Sequence, residues 1–312
     1  MAKAKNSSLI RAAVNKEDEF YTQLSDIEKE LKHYREHFKG KIIFCNCDDP
    51  DWSNFWLYFK LNFHHLGLKK LISTHFENDK PSYKLEYDGN DVVQTRLTQN
   101  GDFRSPECIE LLKEADIVCT NPPFSLFREF IDLLLEYEKD FLVIGSQNNI
   151  TYKEIFPLLK NNNIWLGYYA GDMAFKVPDY YEPRETRFWI DENNQKWRSM
   201  GNITWFTNLD IAKRHEEIIF YKHYSPEEFS KYDNYDAIEV GKVADIPVDY
   251  YEAMGVPITF FNKYNPDQFV ILGNSSELAN SIEIDGKVKN NPGRFYINGK
   301  RLYDRLVIQR KR

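Results

Sequence analysis

The chain has 312 residues, 42% of them hydrophobic and 29% charged, with a formal net charge of -7 and a pI of about 5.6. That is enough apolar material for a packed core in one large domain or two. The acidic balance excludes a basic surface spread over the whole molecule, so any nucleic-acid footprint must be local. No apolar run approaches the length of a membrane span, and residues 1–16, polar and mildly basic, lack the apolar core of a signal peptide. A soluble, cytoplasmic protein with no membrane partner is expected. Cys45, Cys47, Cys108 and Cys119 lie in or near apolar segments, as reduced, buried thiols do. No finger-like spacing joins them to a histidine, so no metal is expected.

Ser25-Asp26-Ile27-Glu28 opens a helix that runs through His37, with Leu24, Ile27, Leu31 and Tyr34 at helical spacing and Gly40 closing it. Lys41 to Cys47 reads as a buried strand, Trp52 to Leu66 as an aromatic-rich helix ended by Gly67, and Leu71 to Phe76 as a second strand. Asn78 to Asn100 alternates weakly around Asp88-Gly89-Asn90, which predicts a hairpin. A helix follows over Pro106 to Lys113, with proline near its start. Next come strand Ile117 to Thr120, helix Leu126 to Tyr137, strand Phe141 to Gly145, helix Thr151 to Leu159 and strand Ile164 to Tyr169. This alternation predicts an α/β fold with a doubly wound, mostly parallel, Rossmann-like sheet. After about Gly171 the rhythm changes, with strand-like Thr186 to Ile190 and Asn202 to Thr207 set among Pro- and Tyr-rich loops. From Asp210 the chain reads as a second, irregular α+β unit ending in strand-like Arg294 to Ile297 and Leu302 to Gln309. The expected organisation is a flexible basic tail over 1–16, a catalytic domain over 17–209 and a further region over 210–312.

One junction carries chemistry. Strand Ile117 to Thr120 stops at Asn121-Pro122-Pro123-Phe124. Prolines have a fixed φ and no N–H, so local carbonyls stay available. Asn121 adds an amide oxygen beside them and Phe124 a flat apolar face. Such a site suits a planar group with an exocyclic amine: the oxygens accept its hydrogens and the ring stacks on its face. The lone pair of adenine N6 is delocalised, which makes it a poor nucleophile. Hydrogen bonds to Asn121 Oδ1 and the Pro122 carbonyl would favour a pyramidal nitrogen and offset its developing positive charge. The same tetrapeptide is a good turn sequence, but ligands in α/β sheets sit where this one falls, at a strand end.

Asp18-Glu19-Phe20-Tyr21-Thr22-Gln23 resembles the methionine-contacting motif of many amino-methyltransferases. Phe44-Cys45-Asn46-Cys47-Asp48-Asp49-Pro50 stands where a cofactor motif ends the first strand, and Gly101-Asp102-Phe103 where an acid reads the cofactor's adenine. With Asn121 to Phe124, Trp205-Phe206-Thr207-Asn208-Leu209 and Ile297-Asn298-Gly299-Lys300-Arg301, the chain resembles, over roughly residues 17 to 312, the S-adenosylmethionine-dependent DNA adenine-N6 methyltransferases of the EcoRI methylase type. The resemblance implies S-adenosylmethionine as cofactor, contacted by Tyr21, Thr22, Asp48, Asp49, Pro50, Glu77, Asp102 and Phe103. It implies catalysis by Asn121, Pro122, Pro123 and Phe124. The wider superfamily has a Gly-rich loop after the first strand; here Asp48-Asp49-Pro50-Asp51-Trp52-Ser53-Asn54 has no glycine. Whether Asp48 or Asp49 faces the cofactor's amino group, or caps the following helix, stays open. Glu77, with Asp79 close by, is the candidate for the ribose diol.

An amine inside a duplex stack cannot reach a buried methyl donor, so the target base must flip out. Phe124, Trp205 and Phe206 are the candidates to stack on it. Groove reading needs side chains such as Arg and Lys: the candidates are Arg184, Arg187, Lys213, Arg214, Lys300, Arg301 and Arg305. From Arg294 on, Arg294, Lys300, Arg301, Arg305, Arg310, Lys311 and Arg312 face a single acid, Asp304. That run is the local basic footprint, or else a solubilising balance to the acidic body. The expected partner is double-stranded DNA, met by a monomer, with a companion restriction endonuclease acting on the same site without direct binding. Asn-Pro-Pro-aromatic serves any planar amine. An RNA-adenine or protein-glutamine methyltransferase is therefore the alternative, and a non-catalytic nucleic-acid-binding protein a further one.

Overall fold

The structure, a computed structural model, describes residues 20–47, 49–78, 80–284, 286–290 and 292–312. The tail over 1–16, Asp18-Glu19 and Asp48 lie outside the described residues. Two compact units form: the described residues up to Leu159 together with Ile164–Leu209, and Lys160–Asn163 together with Asp210–Arg312.

The first unit is built on a ten-stranded sheet. Its strands are β1 (Tyr21–Thr22), β2 (Ile42–Cys45), β3 (Lys70–Thr74), β4 (Tyr83–Tyr87), β5 (Val92–Arg96), β6 (Ile117–Thr120), β7 (Asp140–Ser146), β8 (Trp165–Lys176), β9 (Phe188–Ile190) and β10 (Lys196–Thr207). Their order is β1-β8-β10-β7-β6-β2-β3-β4-β5, with β9 on β10. Strands β3, β2, β6 and β7 pair parallel; the remaining pairs are antiparallel. The sheet is therefore mixed, and the expectation of a mostly parallel sheet holds only for its four-stranded centre. On one flank β4 and β5 are joined by a tight turn at Gly89 (φ +99°), too short for a parallel crossover. On the other, β8 and β10 run as long antiparallel partners.

Helices cover both faces of the centre. Successive residues of a strand point to opposite faces. Trp205 meets Phe55 of the Asn54–Leu61 helix, with ring centroids 5.8 Å apart. Phe206 meets Phe127 of the Phe127–Glu136 helix at 4.9 Å. Both side chains are fully buried. This corrects the expectation that they wall a flipped base: each is packed between the sheet and a helix, out of reach of any ligand.

Local chemistry explains the element ends. Ser53 Oγ accepts from the Phe55 and Trp56 amides and caps the Asn54–Leu61 helix. Ser105 does the same for Pro106–Glu114, accepting from Cys108 N at 3.3 Å, with proline in the first turn. The helix expected over Trp52 to Leu66 is interrupted at Asn62, whose amide donates to Tyr58 O at 2.9 Å. Strands β8 and β10 run well beyond the expected stretches. Their extensions are half-buried on both faces, so no alternation of apolar and polar residues marks them.

The second unit carries a five-stranded sheet in the order β11 (Lys231–Tyr232), β12 (Tyr235–Glu239), β13 (Met254–Pro257), β19 (Arg305–Arg310), β14 (Phe269–Asn274). Two small hairpins accompany it, β15 (Ile282–Ile284) with β16 (Lys287–Lys289), and β17 (Tyr296–Ile297) with β18 (Lys300–Arg301). Tyr232, Ala237, Phe295 and Val307 form part of its core. Among the described residues no helix is long and apolar enough to cross a membrane.

Candidate functional site

The parallel centre of the sheet dictates where a site can form. β2 ends at Cys45, β3 at Thr74 and β6 at Thr120, so the residues that follow them emerge side by side at the carboxyl edge. There they line a cavity of about 430 Å3. Asn46, Cys47 and Asp49 come from the loop after β2; His75, Phe76 and Asn78 follow β3; Asn121, Pro123, Ser125 and Leu126 follow β6. Gly101 to Arg104 close one side, and Phe20 and Tyr21 another.

Each segment is held there by a specific contact. β1 is strapped to β8 by pairing of Tyr21 with Lys176 and Thr22 with Phe175. Asn121, 8% exposed, donates from Nδ2 to the Phe20 carbonyl at 2.5 Å. That bond orients the amide, turning its oxygen away from Phe20. Asn54 Nδ2 donates to Thr22 O at 2.6 Å. The Phe124 ring stacks on Phe20 at 5.5 Å and 25°, and Phe20 also meets Phe175 and Tyr181 edge-on. Gly101 (φ +79°) is forced by close approach: a Cβ there would lie 1.9 Å from the His75 carbonyl oxygen.

The carboxylates of the wall are already engaged. Asp102 receives Arg104 through its backbone N–H (2.9 Å), Nε (2.9 Å) and Nη2 (2.7 Å), and Arg104 reaches on to Glu129 at 2.9 Å. Burial alone would push the Asp102 carboxyl up; the hydrogen bonds and charge of Arg104 outweigh it and hold it below the usual carboxylate range. Asp49 Oδ1 accepts from Asp51 N, and its Oδ2 lies 3.0 Å from His75 Nδ1. His75 Nε2 lies 3.5 Å from Glu77, and its ring stacks on Tyr83. The hydrogen bond to Asp49 raises the His75 pKa; burial opposes it, and the charges of Asp49 and Glu77 reinforce it.

Of the sequence-predicted cofactor residues, Tyr21, Asp49, Asp102 and Phe103 line the cavity, together with Asn121 and Pro123 of the expected catalytic motif. Thr22, Pro50 and Pro122 are buried beside it, and Phe124 is half-buried. Glu77 lines a neighbouring open cleft of about 550 Å3 with His75, Tyr83 and Arg96. The cap of the helix after β2 is Ser53, so Asp49 is spared that role. Sequence reasoning missed Asn46, His75 and Arg104. Position was the available signal: Asn46 and His75 are the first residues past two parallel strands, and Arg104 stands two residues beyond an acid.

The basic candidates separate into two sets. Lys300 and Arg301 are exposed on β18, after the left-handed turn Asn298-Gly299. Arg184 and Arg187 are exposed; Arg184 lies over the Tyr181 ring and Arg187 pairs with Asp172 at 2.9 Å. Lys213 is half-exposed. Arg305, by contrast, has a side chain only 13% exposed and grips both oxygens of Glu239, which also accepts from Tyr232. Arg214, 12% exposed, holds Asn162 and Asp210. These two correct the expectation of DNA contact: both guanidiniums are consumed inside the second unit. The C-terminal basic run is partly spent in the same way. Arg294 pairs with Asp304 at 2.6 Å, Arg310 lies over Phe220 and Tyr251, and Lys311 donates to Pro266 O.

Comparison with known proteins fits this geometry. The chain matches the family model described as adenine-specific methyltransferase EcoRI over residues 8–311. It is 45% identical to the Type II methyltransferase M.EcoRI of Escherichia coli, covering 99% of this chain and 98% of that one. It is 43% identical to Type II methyltransferase M.MgeORF184P of Mycoplasma genitalium (96% and 98% covered) and 40% identical to M.MpnI of Mycoplasma pneumoniae (96% and 97%). No solved structure matches. The chain belongs to the adenine-specific methyltransferase EcoRI family.

Proposed function

We propose that this protein is a site-specific DNA adenine-N6 methyltransferase that takes its methyl group from S-adenosylmethionine. One observation carries the reading: segments at residues 20–21, 46–49, 75–78, 101–104 and 121–126, remote in sequence, meet around one cavity at the carboxyl ends of parallel strands. Its volume lies in the range of small-molecule sites, roughly 300–1,000 Å3. The chemistry of the wall suits a cationic, partly aromatic ligand: the Asp49 and Asp102 carboxylates stand among the rings of Tyr21, Phe76 and Phe103. Tyr21, Asp49, Asp102 and Phe103 would hold the cofactor, with Glu77 near the ribose end. When bound, S-adenosylmethionine supplies a methyl group already activated on sulfur.

The protein's own task is then alignment and charge stabilisation. Asn121 Oδ1 and the Pro122 carbonyl accept the two N6 hydrogens of the adenine and stabilise the positive charge that develops on nitrogen. Pro122 and Pro123 hold those oxygens in place without competing donors. Phe124, backed by Phe20, supports the flat base, which must leave the duplex to arrive there. No protein nucleophile is required; holding amine and methyl donor in line supplies much of the remaining acceleration. The second unit, through Lys300 and Arg301, and the exposed Arg184, Arg187 and Lys213 are proposed to meet DNA. The enzyme would act as a cytoplasmic monomer that protects a site against a companion endonuclease, with no direct contact between the two.

The test is transfer of labelled methyl from S-adenosylmethionine to duplex DNA, RNA and protein in parallel, followed by nucleoside analysis. The expected product is N6-methyladenine in duplex DNA alone. Label confined to RNA or to protein amide would overturn the substrate, and no label in any acceptor would overturn the activity.

A further inference from the structure

Asn46 is the first residue past β2 and forms part of the cavity wall. It is 2% exposed. Its backbone carbonyl accepts from the Thr74 hydroxyl at 3.5 Å. Its side chain is different: Oδ1 and Nδ2 are both buried, and neither has a hydrogen-bond partner among the described residues. A carboxamide offers an acceptor and two donors, and nearly all such groups, once buried, find partners. Leaving both ends unmade is unfavourable. Groups on the same wall have partners already: Asp49 is held by His75 and Asp102 by Arg104. The missing partner of Asn46 is therefore a ligand that presents a donor and an acceptor close together.

We infer that Asn46 binds the α-amino-acid end of S-adenosylmethionine, accepting from its ammonium group through Oδ1 and donating to its carboxylate through Nδ2. This rests on the assignment of the cavity to that cofactor. The adenine edge is the other donor–acceptor pair the cofactor carries, and the layout of the wall sends it elsewhere. Phe76 follows β3, and Gly101-Asp102-Phe103 packs against the His75 carbonyl at the same strand end. The aromatic faces thus collect on the β3 side, where a flat ring belongs. β2 is flanked on its other side by β6, which delivers Asn121. The amino-acid end falls on that β2–β6 side, with Asn46. A neutral amide there serves both charges of a zwitterion without favouring either.

The experiment uses Asn46→Leu, which keeps the volume and removes both polar atoms. Melting of the free protein and calorimetric binding of S-adenosylhomocysteine and of 5′-methylthioadenosine, which keeps the nucleoside and sulfur but lacks the amino-acid end, are measured. The free variant should melt at or above the wild-type temperature, because no internal hydrogen bond is lost. Its affinity for S-adenosylhomocysteine should fall at least ~10-fold, while that for methylthioadenosine stays as in wild type. A lowered melting temperature would make Asn46 a structural residue and overturn the inference. So would unchanged affinity for S-adenosylhomocysteine, or an equal loss for both compounds, which would move the amide to the nucleoside end. Wild-type protein that binds neither compound would instead overturn the cofactor assignment and the inference with it.

Discussion

The cavity wall and the C-terminal basic stretch are opposite cases of how sequence becomes surface. The cavity joins short segments scattered between Phe20 and Leu126. The basic stretch is contiguous, yet Arg294, Arg305, Arg310 and Lys311 are turned to internal partners and leave Lys300 and Arg301 exposed. Topology makes the first: parallel strands deliver their carboxyl ends to one edge whatever lies between them. Packing undoes the second, because a long cationic side chain reaches buried carboxylates and carbonyls as readily as phosphates.

The sharpest test of the cavity side is Asn121→Ala. Loss of one acceptor at the reacting amine should lower kcat on the order of 100-fold or more. Affinity for S-adenosylhomocysteine should change far less, since the Nδ2 bond to Phe20 that also disappears only helps to place Tyr21. Calorimetry beside a methyl-transfer assay separates the two. An equal loss in both would make Asn121 a clamp on the β1 segment and nothing more.

The basic side breaks in a contrasting manner. Arg305→Ala strands the Glu239 carboxylate and should destabilise the second unit by about 3 kcal/mol in denaturant unfolding. Lys300→Ala and Arg301→Ala should leave stability alone and weaken DNA binding. The slope of log K against log salt should flatten by about 0.9 for each phosphate that is no longer neutralised. If the exposed pair alters neither affinity nor slope, recognition belongs around Arg184, Arg187 and Lys213.

The same contrast sets how much was legible. Asn121-Pro-Pro-Phe124 and Gly101-Asp102-Phe103 could be read because their chemistry is local: prolines free carbonyls, and Gly101 leaves room for the His75 carbonyl. The βα alternation up to Tyr169 was readable for a similar reason, since buried central strands are apolar throughout. The antiparallel flanks were not, because strand direction is set by loop length and pairing rather than by composition. Trp205 and Phe206 were misread since an aromatic pair in a core strand looks the same as one facing a ligand. His75 was missed because its importance lies in Asp49 and Glu77, which meet it only in the fold.

Two smaller effects refine the cavity wall. Asp102→Ala should weaken S-adenosylhomocysteine binding about tenfold, with saturating cofactor restoring much of the rate. A kcat loss at unchanged affinity would take Asp102 out of the cofactor site. His75 has a raised pKa in the folded state. Its contribution to stability is complete below the unfolded value of about 6.5 and is lost as pH rises through the folded one. The melting-temperature advantage of wild type over His75→Gln should therefore shrink as pH is raised from about 6 upward. An advantage that is constant or grows would remove the Asp49–His75–Glu77 contact from the account.

The central claim is that the donor binds at the carboxyl ends of β2, β3 and β6, next to Asn121. The most direct measurement is a crystal structure of the complex with S-adenosylhomocysteine. The account predicts the ligand inside the cavity bounded by Tyr21, Phe76, Asp102 and Asn121, with its sulfur on the Asn121 side. A ligand seated elsewhere on the protein, or its sulfur turned away from Asn121, would contradict it.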